Sequence, residues 1–164
     1  MKTVLTITIT ALFAVGLLTV AVSAQQTKQL DAKIYLQRTI IEANGNNSDV
    51  SAVVKRKVDA KSPLRPALEW LFSPQITPEE DKQNFYSSTF GMKFEGVVIK
   101  NGTATVKFSQ PPNETNYGSM GPMIFAKAIE KTAKQFPTVK RVKICAIGET
   151  YIDSELDRPF PRCK

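Results

Sequence analysis

The sequence contains no histidine, two cysteines and one tryptophan, and its eight glycines are isolated rather than clustered. Without histidine, Ser-His-Asp and Cys-His catalysis are excluded, and so is any histidine-ligated metal. Two cysteines are too few for a closed zinc site. No phosphate-cradling loop is present, because Gly118-Ser119-Met120-Gly121 lacks the Lys-Ser/Thr that would follow it. A Ser-Lys pair is the nucleophile arrangement left open, but no Ser-x-x-Lys motif opens a helix. Paired carboxylates can hydrolyse glycosides, yet Glu69, Glu79, Glu80 and Glu130 read as surface or capping residues. Asp153-Ser154-Glu155-Leu156-Asp157 alternates acids like the start of a calcium loop but lacks the glycine at the sixth position and the distal glutamate. It reads as a solvated tail turn. No catalytic, cofactor-binding or metal-binding residue is assigned, and an unrecognised hydrolase is the last alternative.

The longest apolar run lies at the N-terminus. Met1-Lys2 is followed by an uncharged, mostly apolar stretch from Thr3 to Val22, closed by the small residues of Val22-Ser23-Ala24. This is the three-part pattern of a secretory signal, with cleavage expected after Ala24. The alternative is an uncleaved anchor, since Val4 to Val22 approaches the ~20 residues that span a bilayer. Thr6, Thr8, Thr10, Thr19 and the small-residue exit favour cleavage. No cysteine near the cut is available to carry a lipid. The expected localisation is therefore periplasmic or extracellular. Residues 25–164 are long enough for one domain with its own core. Only Lys2 leaves with the signal, so the formal charge falls from +7 to +6. In an oxidising compartment, Cys145 and Cys163 are expected to form a disulfide. On the chain-entropy model, closing such a loop stabilises a fold by ~3 kcal/mol.

Along the chain, residues 25–32 read as an N-terminal lead, 33–148 as the folded domain and 149–164 as a tail strapped by the disulfide. Lys33 to Ile40 predicts a first strand, Asn44 to Asp49 a turn, and Val50 to Val58 a second strand. The basic run Lys55-Arg56-Lys57 within that strand reads as a charged edge that discourages unwanted pairing. Ser62 and Pro63 suit the N-cap and first position of a helix whose apolar face carries Leu64, Ala67, Leu68, Leu71 and Phe72, with Pro66 in its first turn. Thr77-Pro78-Glu79-Glu80 predicts a capping box opening a short helix to about Asn84. Asn101-Gly102 between apolar runs predicts a type I′ hairpin. Its register sets Ile99 opposite Ala104, Val97 opposite Val106 and Glu95 opposite Phe108, with Val97, Ile99, Ala104, Val106 and Phe108 on the core face. Gln110 to Gly118 reads as a loop. Pro122 to Phe136 predicts a helix burying Phe125, Ile129, Ala133 and Phe136, with Lys127, Lys131 and Lys134 on the opposite side. Val139 to Ile147 is the last strand, with Val142, Ile144 and Ala146 on one face and Cys145 on the other. The tail is expected to cross the sheet's second face. The fold class is α+β, a two-layer sandwich with two main helices on one face of a small sheet, in the order β-β-α-β-β-α-β.

Lys127, Lys131 and Lys134 lead into Lys140, Arg141 and Lys143, a candidate patch for an anionic polymer or lipid headgroup. Nucleic acid is not expected, because the chain is exported and the patch lacks interleaved aromatics for stacking. Asn46, Asn101 and Asn113 begin Asn-x-Ser/Thr sequons, relevant only in a eukaryotic secretory route.

Four stretches, in order, carry a family resemblance: Pro63 to Phe72; Thr77-Pro78-Glu79-Glu80 with Tyr86-Ser87; Val97 to Ser109; and Ile129 to Val142. The succession of helix, Asn-Gly-x-Ala-x-Val hairpin and Gln-Phe-Pro-x-Val resembles the GerMN domain family, the bacterial sporulation and spore germination module. The resemblance spans about residues 34–148. It implies a non-enzymatic α+β module of the bacterial envelope, similar to ring-building modules, whose partner is an envelope protein or a second copy. No catalytic residues or cofactors come with it. This sequence departs from the pattern in lacking a lipid-attachment cysteine, in carrying the module once, and in its Cys145–Cys163 extension.

Overall fold

The computed structural model describes residues 28–109, 120–148 and 160–164. The signal segment 1–24, the loop at 110–118, the acidic run Asp153–Asp157 and the Asn113 sequon lie outside those residues.

The chain opens with a long antiparallel hairpin. β1 (Gln29–Ile41) pairs with β2 (Asn47–Asp59) in unbroken register from Gln29↔Asp59 to Ile41↔Asn47. Both strands outrun their predicted spans, so Gln29 to Ala32 belong to the sheet and not to a lead. Alternation places Ala32, Ile34 and Leu36 of β1 in the core with Val54 and Val58 of β2. The remaining edge of β1 is closed piecewise. β3 (Phe85–Tyr86) pairs with Gln37 and Arg38, and the Ser88 hydroxyl donates to the Tyr35 carbonyl at 2.7 Å.

α1 (Leu64–Phe72) buries the five expected residues. Its N-cap is Pro63, without a side-chain cap, and Ser62 takes no part. Pro66 consequently falls in the first turn, where a missing N–H leaves no bond unmade. α2 (Pro78–Lys82) starts at the capping box, with the Thr77 hydroxyl accepting from the Glu80 amide and the Glu80 carboxylate accepting from the Thr77 amide.

β4 (Lys93–Lys100) and β5 (Thr103–Ser109) form the second hairpin, with Ile99↔Ala104 and Val97↔Val106 in register. Asn101 and Gly102 have φ of 49° and 71°, the two positive values a type I′ turn needs. The predicted Glu95–Phe108 pair is wrong. A bulge between Phe94 and Gly96 sets Phe94 opposite Phe108. Gly96, at φ 153°, adopts backbone that side-chained residues avoid, which lets the strand take up the extra residue. The bulge turns a phenyl ring, not a carboxylate, towards the core: Phe94 lies 5.4 Å from Phe72. Ile99 also departs from expectation, remaining exposed because β4 is the edge of its sheet.

α3 (Gly121–Lys134) buries Phe125, Ala128, Ile129, Thr132 and Ala133, and the chain returns through β6 (Arg141–Ala146), parallel to β5. The α+β class holds, while the order gains the short β3, which was not predicted, and α2 between α1 and β4. The strands sort into two three-stranded sheets, β2-β1-β3 and β4-β5-β6, rather than one. α1 and α3 pack together and touch both sheets, so a single core joins them. The tail contributes Phe160 to that core, 5.4 Å from both Phe108 and Phe125. Residues 149–159 lie outside the described residues, so the expected path across the second face is not described for them. Arg162 bridges Ala146 in parallel, so the last residues extend the edge of β6. Cys145 and Cys163 meet there as a disulfide, with Cα atoms 5.0 Å apart.

Candidate interaction surfaces

The six residues of the predicted basic patch do not share one face. Lys127, Lys131 and Lys134 are exposed on α3. Val142 and Ile144 pack towards the core, so Arg141 and Lys143 alternate onto the side of β6 away from it. Lys134 is paired with Glu130, and the Lys131 ammonium stands 5.4 Å over the Tyr35 ring. The amides of Lys140 and Arg141 both donate to the Gly102 carbonyl, at 2.7 and 3.0 Å, tying β6 to the hairpin turn. A side chain at Gly102 would press on the stem of Lys140.

The outward face of the second sheet is a small grid set by register. Across β4, β5 and β6 its rows are Gly96, Lys107, Cys145; Val98, Thr105, Lys143; and Lys100, Thr103, Arg141. The Arg141 Nε donates to the Thr103 hydroxyl at 3.2 Å, laying the guanidinium across the neighbouring strand.

The basic run of β2 also divides. Lys55 and Lys57 face outward, and Lys57 pairs with Asp31 on β1 at 2.8 Å. That bond holds the Asp31 carboxyl below its usual range. Arg56 points inward. Its two Nη groups grip both Glu80 oxygens at 2.8 and 2.6 Å, and its guanidinium stacks 5.4 Å from the Trp70 ring. The Arg56 bond is the main reason the Glu80 carboxyl titrates below its ordinary value. Both side chains are about 15% exposed, Arg56 at 13% and Glu80 at 15%. Sequence reading missed this pair. The signal was there, an arginine on the apolar face between Val54 and Val58. Towards the other end of β2, the Tyr86 phenol is pushed up to about 12, first by burial and then by its bond to Asp49.

α3 supplies a second missed device. The Gln135 side chain accepts from the Lys33 amide and donates to the Lys33 carbonyl, both at 2.8 Å, as a neighbouring strand would. The buried Thr132 hydroxyl accepts from the Tyr35 amide at 3.4 Å.

A groove of about 460 Å³ runs between α1 and the start of β4, lined by Arg65, Glu69, Phe72 and Phe94 among others. Its carboxylate, Glu69, is tied to Arg65 at 3.4 Å. Among the described residues no cluster of three or more His, Cys, Asp or Glu is placed to hold a metal, and no helix is long and apolar enough to cross a membrane.

Residues 33–151 match the family model described as Germane, sporulation and spore germination. The chain belongs to that family. Among solved structures it is similar to the tandem GerMN domains of the sporulation protein GerM from Bacillus subtilis, at 16% identity and a TM-score of 0.54. The match covers 87% of this chain and 48% of that one, so the chain spans about half of the tandem structure. The first GerMN domain of the same protein aligns at 22% identity and a TM-score of 0.45, covering 71% of this chain and 82% of that one. No curated protein matches the sequence. The likeness to the tandem structure shows a shared fold, in agreement with the α+β class. The family's sporulation and germination association is the functional statement that comes with membership.

Proposed function

We propose that the chain is an exported, non-enzymatic association module of the bacterial envelope, and that it associates with a second copy of itself through the free edge of β4. The observation that carries this reading is the run Gly96-Val97-Val98-Ile99. It is uncharged, lies on an edge strand, and leaves Val98 57% and Ile99 43% exposed. Sheet edges of this kind are usually blocked by charge or cover. On β2, the other long edge, Lys55 and Lys57 supply that protection. An antiparallel pairing of two β4 strands centred on Val98 would set Val98 on Val98 and Val97 on Ile99. Each Lys100 would face a Gly96, so no cation meets a cation. Such a contact is isologous and closes as a dimer. The N-terminal signal pattern and the family's sporulation association support the envelope setting.

Sedimentation of the mature protein over a range of concentrations tests the reading. Reversible self-association is expected. The double variant Val98→Lys/Ile99→Lys should remain monomeric with an unchanged melting temperature. A wild-type protein that stays monomeric throughout, or a variant that still associates, rules out the β4 edge. Turnover of any ester, glycoside or peptide substrate that survives repurification would overturn the non-enzymatic part.

A further inference from the structure

The exposed charge of this protein is not evenly spread. No acidic residue occurs in 96–109 or in 131–148, while Lys100, Lys107, Lys140, Arg141 and Lys143 all fall there. Folding brings four of these cations onto one face, because β6 returns parallel to β5 and puts Arg141 beside Thr103, Lys143 beside Thr105 and Cys145 beside Lys107. None of the four takes part in an ion pair among the described residues. On the first sheet Lys57 is neutralised by Asp31, and the facing pair Lys33 and Lys55 has no ion pair among the described residues. Glu95 is the carboxylate on this face among the described residues and is bonded to Ser109, so a cluster of cations without ion pairs among those residues is poised for an anion supplied from outside.

We propose that this outward face of β4-β5-β6 is a docking surface for a linear polyanion with a phosphodiester backbone, lying across the strands. Arg141 and Lys143 are two residues apart on one strand, hence ~6.6 Å apart at the backbone, and Lys107 sits one row on and one strand over, ~4.8 Å sideways. Lys100 faces Arg141 across β5, ~9.6 Å away. An extended polymer with regularly repeating charges can meet several of these cations at once, which a single small anion cannot. Thr103 and Thr105 lie between them with hydroxyls able to bond phosphate or polyol oxygens. The Thr103 bond to Arg141 Nε fixes the guanidinium so that its Nη groups can present a fork to phosphate. A membrane surface fits less well, since the aliphatic side chain on this face, Val98, stands at its edge rather than projecting from its middle. Nucleic acid fits less well too, because the grid holds no aromatic ring on which a base could stack. The proposal does not depend on β4 pairing, and Lys107 and Lys143 lie away from the β4 edge.

Binding of the mature protein to poly(glycerol phosphate) across a salt series tests it, using two variants of equal net charge. Lys107→Glu/Lys143→Glu alters the sheet face, and Lys127→Glu/Lys131→Glu alters the helix. The sheet variant is expected to lose ~10-fold or more in affinity at low salt, and the helix variant less than ~3-fold. The neutral pair Lys107→Gln/Lys143→Gln, which asks least of the fold, should lose about half as much on a logarithmic scale as the charge reversal. Equal losses from the sheet and helix variants would reduce the effect to net charge and overturn the proposal. Absence of binding at low salt would do the same. Tighter binding to phosphatidylglycerol vesicles would reassign the face to a membrane, and equal affinity for a single-stranded oligonucleotide would remove the claimed selectivity.

Discussion

The two sheets are stabilised by different chemistry. The first, β2-β1-β3, adds polar pins to the apolar contacts that Ala32, Ile34, Leu36, Val54 and Val58 make in the core. Arg56 and Glu80 clamp α2 against β2, Gln135 acts as a surrogate strand beside Lys33, and Ser88 and Thr132 bond the main chain of Tyr35. The second, β4-β5-β6, is held by rings and a crosslink. Phe108, Phe125 and Phe160 meet edge to face, Phe72 and Phe94 extend the cluster, and Cys145–Cys163 fastens the tail beside β6. The difference carries over to the surfaces. Where polar groups serve structure they are spent on one another. On the outward face of the second sheet Arg141 bonds Thr103 and Ser109 bonds Glu95, while Lys100, Lys107 and Lys143 have no ion pair among the described residues.

The sharpest way to break this contrast is to remove its apolar half. Phe125→Ala should cost ~4 kcal/mol, since the ring is fully buried and touches Phe72, Phe108 and Phe160. Chemical denaturation would measure it, and a loss below ~1 kcal/mol would mean the cluster is not the keystone of the second sheet.

Arg56→Ala strikes the polar half. It leaves Glu80 largely buried without its partner and uncovers Trp70, with an expected cost of ~2 kcal/mol. The same site predicts a pH dependence. The folded-state pKa of Glu80 is lowered from 4.5, so its contribution is in place above that value and fades as pH falls through the lowered one. Wild-type stability should therefore fall on acidification below about pH 4.5, and Arg56→Ala should flatten that fall. An identical acid profile in both proteins would separate the clamp from the acid response.

The smallest effect is expected at Gln135. Gln135→Ala removes two bonds to Lys33 at a partly exposed site, for ~1 kcal/mol. Hydrogen exchange should show it locally, as faster exchange of the Lys33 amide with the β5 and β6 amides unchanged. Uniform acceleration across both sheets would deny that the two are pinned separately.

Much of this was legible along the chain because it depends on neighbours in sequence. The capping box of Thr77 and Glu80 needs residues three apart, and the Asn101-Gly102 turn set the register as far as Gly96, opposite Lys107. The reading failed one step on, at Glu95. Strict alternation assigns Glu95 a partner, whereas a positive-φ glycine admits a bulge and brings Phe94 inward. Arg56 was hidden for another reason. A basic run looks like a solvated edge until the opposite element, carrying Glu80, is known to lie over it. The candidate patch was half legible. Proximity in sequence grouped its cations, but α3 packs on one side of β6 while Arg141 and Lys143 emerge on the other.

By itself, the sequence determined the main helices and strands, the α+β class and the chemistry that histidine's absence excludes, since turn residues, caps and apolar periodicity act over a few residues, whereas β3 was not foreseen. Only the tertiary structure decided that β6 runs parallel to β5, that Phe160 joins the core, and that Lys107, Lys143, Arg141 and Lys100 share one surface. Those outcomes follow from contacts between residues far apart in the chain, where burial, not local preference, selects the arrangement.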